Sequence, residues 1–88
     1  MKIKVAKFGG TSMADAQAIV RSADIVKAEP ARRYVVVSAP GKRYSQDVKV
    51  TDMLYECFHM SEMDGNFDPA FEKIKERFAG IAADLGLD

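Results

Sequence analysis

The sequence predicts an α/β chain, a strand–helix–strand unit followed by two further helices. Three observations predict it. Apolar, largely β-branched runs at residues 3–6 and 34–37 read as strands, and apolar residues at three-and-four spacing fill the stretch between them. Two more helical stripes follow, at residues 54–60 and 71–85. A single-helix crossover implies that the strands run parallel, with the usual right-handed connection.

The first strand is nearly continuous in Ile3, Val5 and Ala6, with Lys4 the exception, the pattern of an interior strand covered on both faces. It runs into Lys7-Phe8-Gly9-Gly10-Thr11-Ser12. A cation thus stands before a glycine turn and two hydroxyls stand after it. Successive glycines let backbone approach a ligand closely and take positive φ without a Cβ clash. Free N–H groups at a following helix start attract anions. Lys7 adds a full charge, so the string suits a bound phosphate, whose oxygens spread negative charge during transfer. Gly-Gly after a strand also serves as a plain tight turn. From about residue 13 to 27, Met13, Ala16, Ile19, Val20, Ala23 and Val26 form one helix face, with Ser12 as the expected N-cap. Pro30 follows the helix end, and Tyr34-Val35-Val36-Val37 is the second interior strand.

Parallel strands end on the same side of a sheet, where open α/β folds bind ligands. The glycine turn and the second turn, Ser38-Ala39-Pro40-Gly41-Lys42, are therefore expected to converge, although the latter is also an ordinary Pro-Gly turn. A P-loop is excluded, because Arg43 follows Lys42 and Val36 occupies the required upstream glycine position. Residues 43–49 read as a polar loop. Thr51 is the expected cap of a helix carrying Leu54, Cys57, Phe58 and Met60, with Val50 and Tyr55 spaced as a hydrophobic staple. A hydroxyl there can cap a helix and also face a ligand. Gly65 and Asn66 mark a break, Asp68-Pro69 reads as an N-cap with proline at the first helical position, and Gly86 ends the last helix. Its stripe of Phe71, Ile74, Phe78, Ile81, Ala82 and Leu85 is expected to pack in the core.

Composition limits the function classes. Eighty-eight residues, 48% hydrophobic and 30% charged, describe one small soluble domain, able to bury about 60–65% of its unfolded surface. A net charge of zero gives no general pull toward nucleic acid or an anionic membrane. Cys57 is the single cysteine, which excludes an intrachain disulfide and a cysteine-based zinc cluster, fits a reducing compartment, and is read as buried packing. His59 is the single histidine and is assigned no chemistry; no metal site is expected. Met53, Met60 and Met63 read as flexible packing residues. No apolar stretch approaches the ~18 residues of a membrane span, and the first residues lack a signal-peptide core. The expected location is cytoplasmic.

Lys7-Phe8-Gly9-Gly10-Thr11-Ser12 resembles the N-terminal motif of aspartate kinases, and Val36-Val37-Ser38-Ala39 followed by Thr51-Asp52-Met53-Leu54 is similar to that family's next two landmarks, in the same order. The likeness spans essentially the whole chain. The full first motif distinguishes aspartokinases from other carboxylate and carbamate kinases of the amino-acid kinase superfamily. The extended loop at residues 40–50 resembles the form found in a subset of the family.

The resemblance implies a partial three-layer α/β/α amino-acid kinase (carbamate kinase-like) fold, with residues 1–88 as the N-terminal part of the catalytic domain. It also implies ATP-dependent phosphorylation of L-aspartate to 4-phospho-L-aspartate, the entry step to lysine, threonine and methionine. Lys7 would then be catalytic, stabilising the transferring phosphoryl group. The backbone at Phe8, Gly9 and Gly10 would hold ATP phosphates, with Thr11 and Ser12 closing the turn. Ser38 and Ala39 would lie at the site floor and Thr51 would contact aspartate. ATP and Mg2+ are the implied cofactors, although no residue here is a convincing magnesium ligand. Family members carry the remaining substrate residues, the nucleotide-binding half and the regulatory domains farther along the chain. The rest of the kinase domain is therefore an implied partner, in an enzyme expected to be a homo-oligomer. The 88 residues are expected to be inactive alone. The alternative is a non-catalytic folded fragment or association module with at most weak phosphate binding.

Overall fold

A computed structural model describes residues 2–87. It contains β1 (Lys4–Phe8), a one-turn 3-10 helix (Gly10–Met13), α1 (Ala16–Ala28), β2 (Arg32–Val37), α2 (Val50–Met63) and α3 (Asp68–Asp84). The two strands pair in parallel across α1, with Ala6 opposite Val35, Lys7 opposite Val36 and Phe8 opposite Val37. A register shift leaves Arg33 as an extra residue near the start of the ladder. The Ser38 N–H donates to the Phe8 carbonyl at 3.0 Å, so the ladder continues one residue beyond β2 and both segments leave the sheet at the same end.

Side chains alternate across a strand, and here the two faces differ. Phe8, Val35 and Val37 face Ile19, Ala23 and Val26 of α1. The opposite face carries Val5, Lys7, Tyr34 and Val36, and it is bare: Val5 is 67% exposed and Tyr34 62%. The expectation of strands covered on both faces is therefore not met. The cause is that α2 and α3 pack on each other, and α3 on α1, instead of on the open face. The molecule is consequently long, 54 × 27 × 25 Å, with a radius of gyration of 15.7 Å where a compact chain of this length would have about 12 Å. In α3, Ala70 and Ile74 are buried, but Phe71 and Phe78 of the expected stripe remain exposed. Cys57, read as buried, is half-buried, as are Met53 and Met60, while Met63 and His59 are exposed.

Three helix starts differ from the sequence expectation. Ser12 does not cap α1; it lies inside the 3-10 turn, where its N–H donates to the Gly9 carbonyl at 3.1 Å. The tight turn delays the helix, and Asp15 becomes its cap, with the carboxylate accepting from the Ala18 N–H at 2.9 Å. The Ser22 hydroxyl instead donates to the Ser12 carbonyl at 3.1 Å, fastening the turn to α1. Thr51 does not cap α2, because the helix begins one residue earlier, at Val50. Val50 is buried and its N–H donates to the Pro40 carbonyl at 3.0 Å, while Tyr55 is 73% exposed, so no staple forms. Asp68 is the first residue of α3 and not its cap, and Pro69 sits in the first turn, where a missing N–H costs nothing. Gly86 ends α3 as expected. Its φ is +76°, and the bonds Gly86 N–H to Ala83 O and Leu87 N–H to Ala82 O form a Schellman cap.

Two contacts join these pieces. The Gly41 N–H donates to the Gly10 carbonyl at 2.8 Å, so the two turns touch backbone to backbone. Arg77 of α3 is only 6% exposed. Its Nη2 donates to the carbonyls of Ala14 at 2.7 Å and Gly41 at 2.6 Å, and its Nη1 to that of Val48 at 3.1 Å. Burial and the nearby Arg43 charge push the Arg77 guanidinium below its usual pKa, opposed by Asp47, 3.8 Å away. Asp47 in turn accepts from the Arg43 backbone N–H at 2.9 Å, Nε at 2.6 Å and Nη2 at 2.8 Å. The Arg43 hydrogen bonds hold the Asp47 carboxyl well below the usual carboxylate range, against the opposing effect of burial.

A Cβ on Gly41 would stand 2.6 Å from the Gly10 carbonyl carbon, whereas one on Gly9 would meet nothing within 4 Å. Gly41→Ala should cost about 1–3 kcal/mol and lower the melting midpoint by roughly 5–20 °C. Gly9→Ala should be nearly neutral, and equal effects at the two positions in a thermal melt would contradict the contact. The Asp47 pairing makes an acid-side prediction. A carboxyl with a lowered folded-state pKa contributes fully above the unfolded value, about 4, and loses that contribution as pH falls toward the lower folded value. Denaturant midpoints measured from pH 6 to pH 2 should fall less steeply for Asp47→Asn than for the parent, with the variant less stable at neutral pH; parallel curves would remove Asp47 from the account.

Candidate functional site

The end of the sheet where both strands finish opens into a cleft of about 580 Å3. The first turn supplies Gly10 and Thr11, the second supplies residues 38–42, and the start of α2 supplies Lys49 and Thr51. The expected convergence of the two turns is thus present, and Thr51 joins them despite not being a cap. Its place in the first turn of α2 sets its hydroxyl near the positive end of that helix.

The glycines act differently from the sequence reading. Gly9 is extended, with φ −78° and ψ −179°, and among the described glycines only Gly65 and Gly86 have positive φ. Gly10 is needed for close approach: a Cβ there would lie 3.2 Å from the Gly41 Cα. Nor does an α-helix start directly after the glycines. A 3-10 turn intervenes, and the α1 N-terminus already carries the Asp15 carboxylate, so any anion held by the first turn would meet the turn itself.

The remaining predicted residues fall in distinct places. Phe8 is buried against α1 and contributes its carbonyl to the ladder, through Ser38. Ser12 is half-buried behind the turn, whereas Thr11 is exposed at the cleft. Lys7 is exposed and does not line the cleft; it projects from the open face of the sheet, opposite Val36. Ser38 and Ala39 line the floor between the turns.

The lining is cationic. Lys42 and Lys49 are exposed, neither forms an ion pair among the described residues, and no lining residue is acidic. The nearest loop carboxylate, Asp47, is occupied by Arg43. Such a cleft can hold an anionic ligand through ammonium groups, hydroxyls and backbone N–H groups. Sequence reasoning missed Lys49, which stands in a polar loop without a motif, and Arg77, which stands on a helix among other charges.

No family model matches the chain. Its sequence is 45% identical over 85 residues to aspartokinase 3 of Bacillus subtilis (strain 168), a match covering 97% of this chain and 19% of that protein. It is 39% identical over 84 residues to an aspartokinase of Chlamydia trachomatis serovar D, covering 96% of this chain and 17% of that protein. The chain therefore spans about a fifth of the length of these relatives. The structure superposes with a TM-score of 0.94 on the crystal structure of Clostridium acetobutylicum aspartate kinase, at 39% identity over 100% of this chain and 20% of that one. By sequence along nearly its whole length, and by structure along all of it, the chain belongs to the aspartokinase family as a segment of such a protein.

Proposed function

We propose that this chain forms part of the phosphoryl-transfer site of an aspartate kinase with the amino-acid kinase fold, acting in the cytoplasm at the entry to lysine, threonine and methionine biosynthesis. The observation that carries the proposal is the cleft itself, where both strand-end turns and Thr51 meet around a cationic lining. In the reaction, a side-chain carboxylate oxygen of L-aspartate attacks the γ-phosphorus of ATP. An oxygen–phosphorus bond forms, the bond to the β-phosphate oxygen breaks, and ADP leaves with the electron pair. The nucleophile is already an anion, so no general base is required, and a cleft without carboxylates is suited to it. Alignment and charge stabilisation supply the catalysis.

Each residue has a part. Gly9, Gly10 and Thr11 present backbone and hydroxyl donors to phosphate oxygens, with Phe8 and Ser12 fixing the turn from behind. Ser38, Ala39 and Thr51 hold aspartate on the floor. In this reading Lys7, which stands opposite Val36, reaches the transferring phosphoryl from the open face of the sheet, with that group held over the strand ends. Magnesium accompanies ATP in reactions of this class, but the cleft lining offers it no carboxylate, and among the described residues no three His, Cys, Asp or Glu side chains converge. This chain's contribution is cationic and backbone-based.

Full activity requires residues that the relatives carry beyond the matched fifth, in an assembly proposed to be homo-oligomeric. A second reading, a folded but non-catalytic association module, is favoured by the bare sheet face of Val5, Tyr34 and Val36.

Calorimetric titration of the 88-residue chain with MgATP and with L-aspartate separates the two readings. Binding of either supports the half-site, and a folded chain that binds neither favours the association module. Catalysis is tested by substituting this chain for the matching segment of the Clostridium acetobutylicum enzyme. In that chimera Lys7→Ala should lower kcat by about 10²–10³ with a smaller change in aspartate affinity, and near-parent turnover would remove Lys7 from the mechanism. Thr51→Val should raise the aspartate KM several-fold at similar kcat; an unchanged KM would leave Thr51 a helix residue only.

A further inference from the structure

We infer that Arg77 is a positioning residue that turns two peptide units so that the backbone N–H groups of Lys42 and Lys49 face an anionic oxygen in the cleft. The inference rests on the phosphoryl-transfer reading of that cleft and assigns it two donors that no motif marks.

The argument starts from the three carbonyls that Arg77 holds. They belong to separate segments: Ala14 leaves the first turn, Gly41 lies in the second, and Val48 leads into α2. A trans peptide unit is planar, with its C=O and N–H pointing in opposite directions. The Gly41 carbonyl points at Arg77, so the Lys42 N–H of the same unit points away from it. The Val48 carbonyl likewise fixes the Lys49 N–H. Both lysines line the cleft, whereas Arg77 and the rest of α3 do not. Neither N–H has a hydrogen-bond acceptor among the described residues, although the neighbouring Gly41 and Val50 N–H groups are both paired.

The arginine is suited to this and a lysine is not. Its planar fork presents donors in fixed directions and bonds three carbonyls at once, while an ammonium is a compact point charge. Burial also argues for a geometric role. Arg77 is 6% exposed, and its Nε has no acceptor. A helix selected for packing alone would carry an apolar residue there, since well-packed hydrophobic replacements of buried charges are commonly neutral or stabilising. With Arg77 in place, Lys42 and Lys49 both line the cleft, and their N–H groups, free of acceptors among the described residues, are available to one anionic oxygen there. A carboxylate of the amino-acid substrate or a phosphate oxygen of the nucleotide carries the required chemistry.

The test follows backbone amides of the 88-residue chain by NMR during separate titrations with L-aspartate and with MgATP. The ligand that binds here should shift the Lys42 and Lys49 amide protons, and which titration does so identifies carboxylate or phosphate. Arg77→Lys, with helical content confirmed by circular dichroism, should lower that affinity at least tenfold and abolish both shifts. A bound ligand that leaves both amides unmoved would overturn the inference without any variant, as would a folded Arg77→Lys chain that binds like the parent. A parent chain that binds neither ligand counts against the half-site reading. The positioning role is then decided by amide exchange in Arg77→Lys. The Gly41 and Val50 N–H groups, which bond Gly10 and Pro40, should exchange at least tenfold faster while those of α1 and the β ladder keep the parent rate. Unchanged exchange at Gly41 and Val50 overturns the inference.

Discussion

One buried guanidinium holds the two strand-end turns and the start of α2 in a fixed relation. Arg77 replaces the packing that a larger core would supply, because the described residues form a two-stranded sheet and α3 is bonded to the loops through this side chain. Hydrogen bonds to a charged donor are worth about 1.5–3 kcal/mol each, and desolvating the charge opposes much of that gain. The net effect is more one of geometry than of stability. Gly41 sits at the centre, bonded to Gly10 on one side and to Arg77 on the other, which leaves no room for a side chain.

That arrangement accounts for the uneven distribution of order and exposure. The buried residues cluster where the turns, α1 and α3 meet, around Phe8, Met13, Ala14, Ala18, Val50 and Ile74. Away from it, the outer face of the sheet and the far side of α2 expose Val5, Tyr34, Leu54, Tyr55 and Phe58. Apolar faces and unpaired strand edges of this kind favour association with other protein surfaces.

The chemistry fits the same division. The cleft gathers cations, hydroxyls and backbone donors, none of its lining residues is acidic, and the neighbouring loop carboxylate, Asp47, is engaged with Arg43. An acid free to enter the cleft would repel both a polyphosphate and an acidic amino acid. Lys7 stands apart on the open side of the sheet, so a ligand reaching both Lys7 and Thr51 must cross the strand ends, the place where parallel sheets present their ligands.

The sequence by itself determined the order of elements, the parallel pairing and the meeting of the two turns. Each follows from local pattern and from the rule that a single-helix crossover returns the chain to the same end of the sheet, so that the next strand runs parallel to the first. Helix caps were less legible: Ser12, Thr51 and Asp68 are all competent caps by residue type, but a 3-10 turn, an early helix start and the preceding Asn66–Phe67 stretch moved each inside its element. Only the tertiary structure decided that Gly10 and Gly41 are glycines because they touch, and that a charged position in the third helix is its most constrained one. The reason is distance along the chain. Periodicity and capping report on neighbours a few residues apart, whereas Arg77 bonds Ala14 across a separation of 63 residues, and no local pattern encodes that contact.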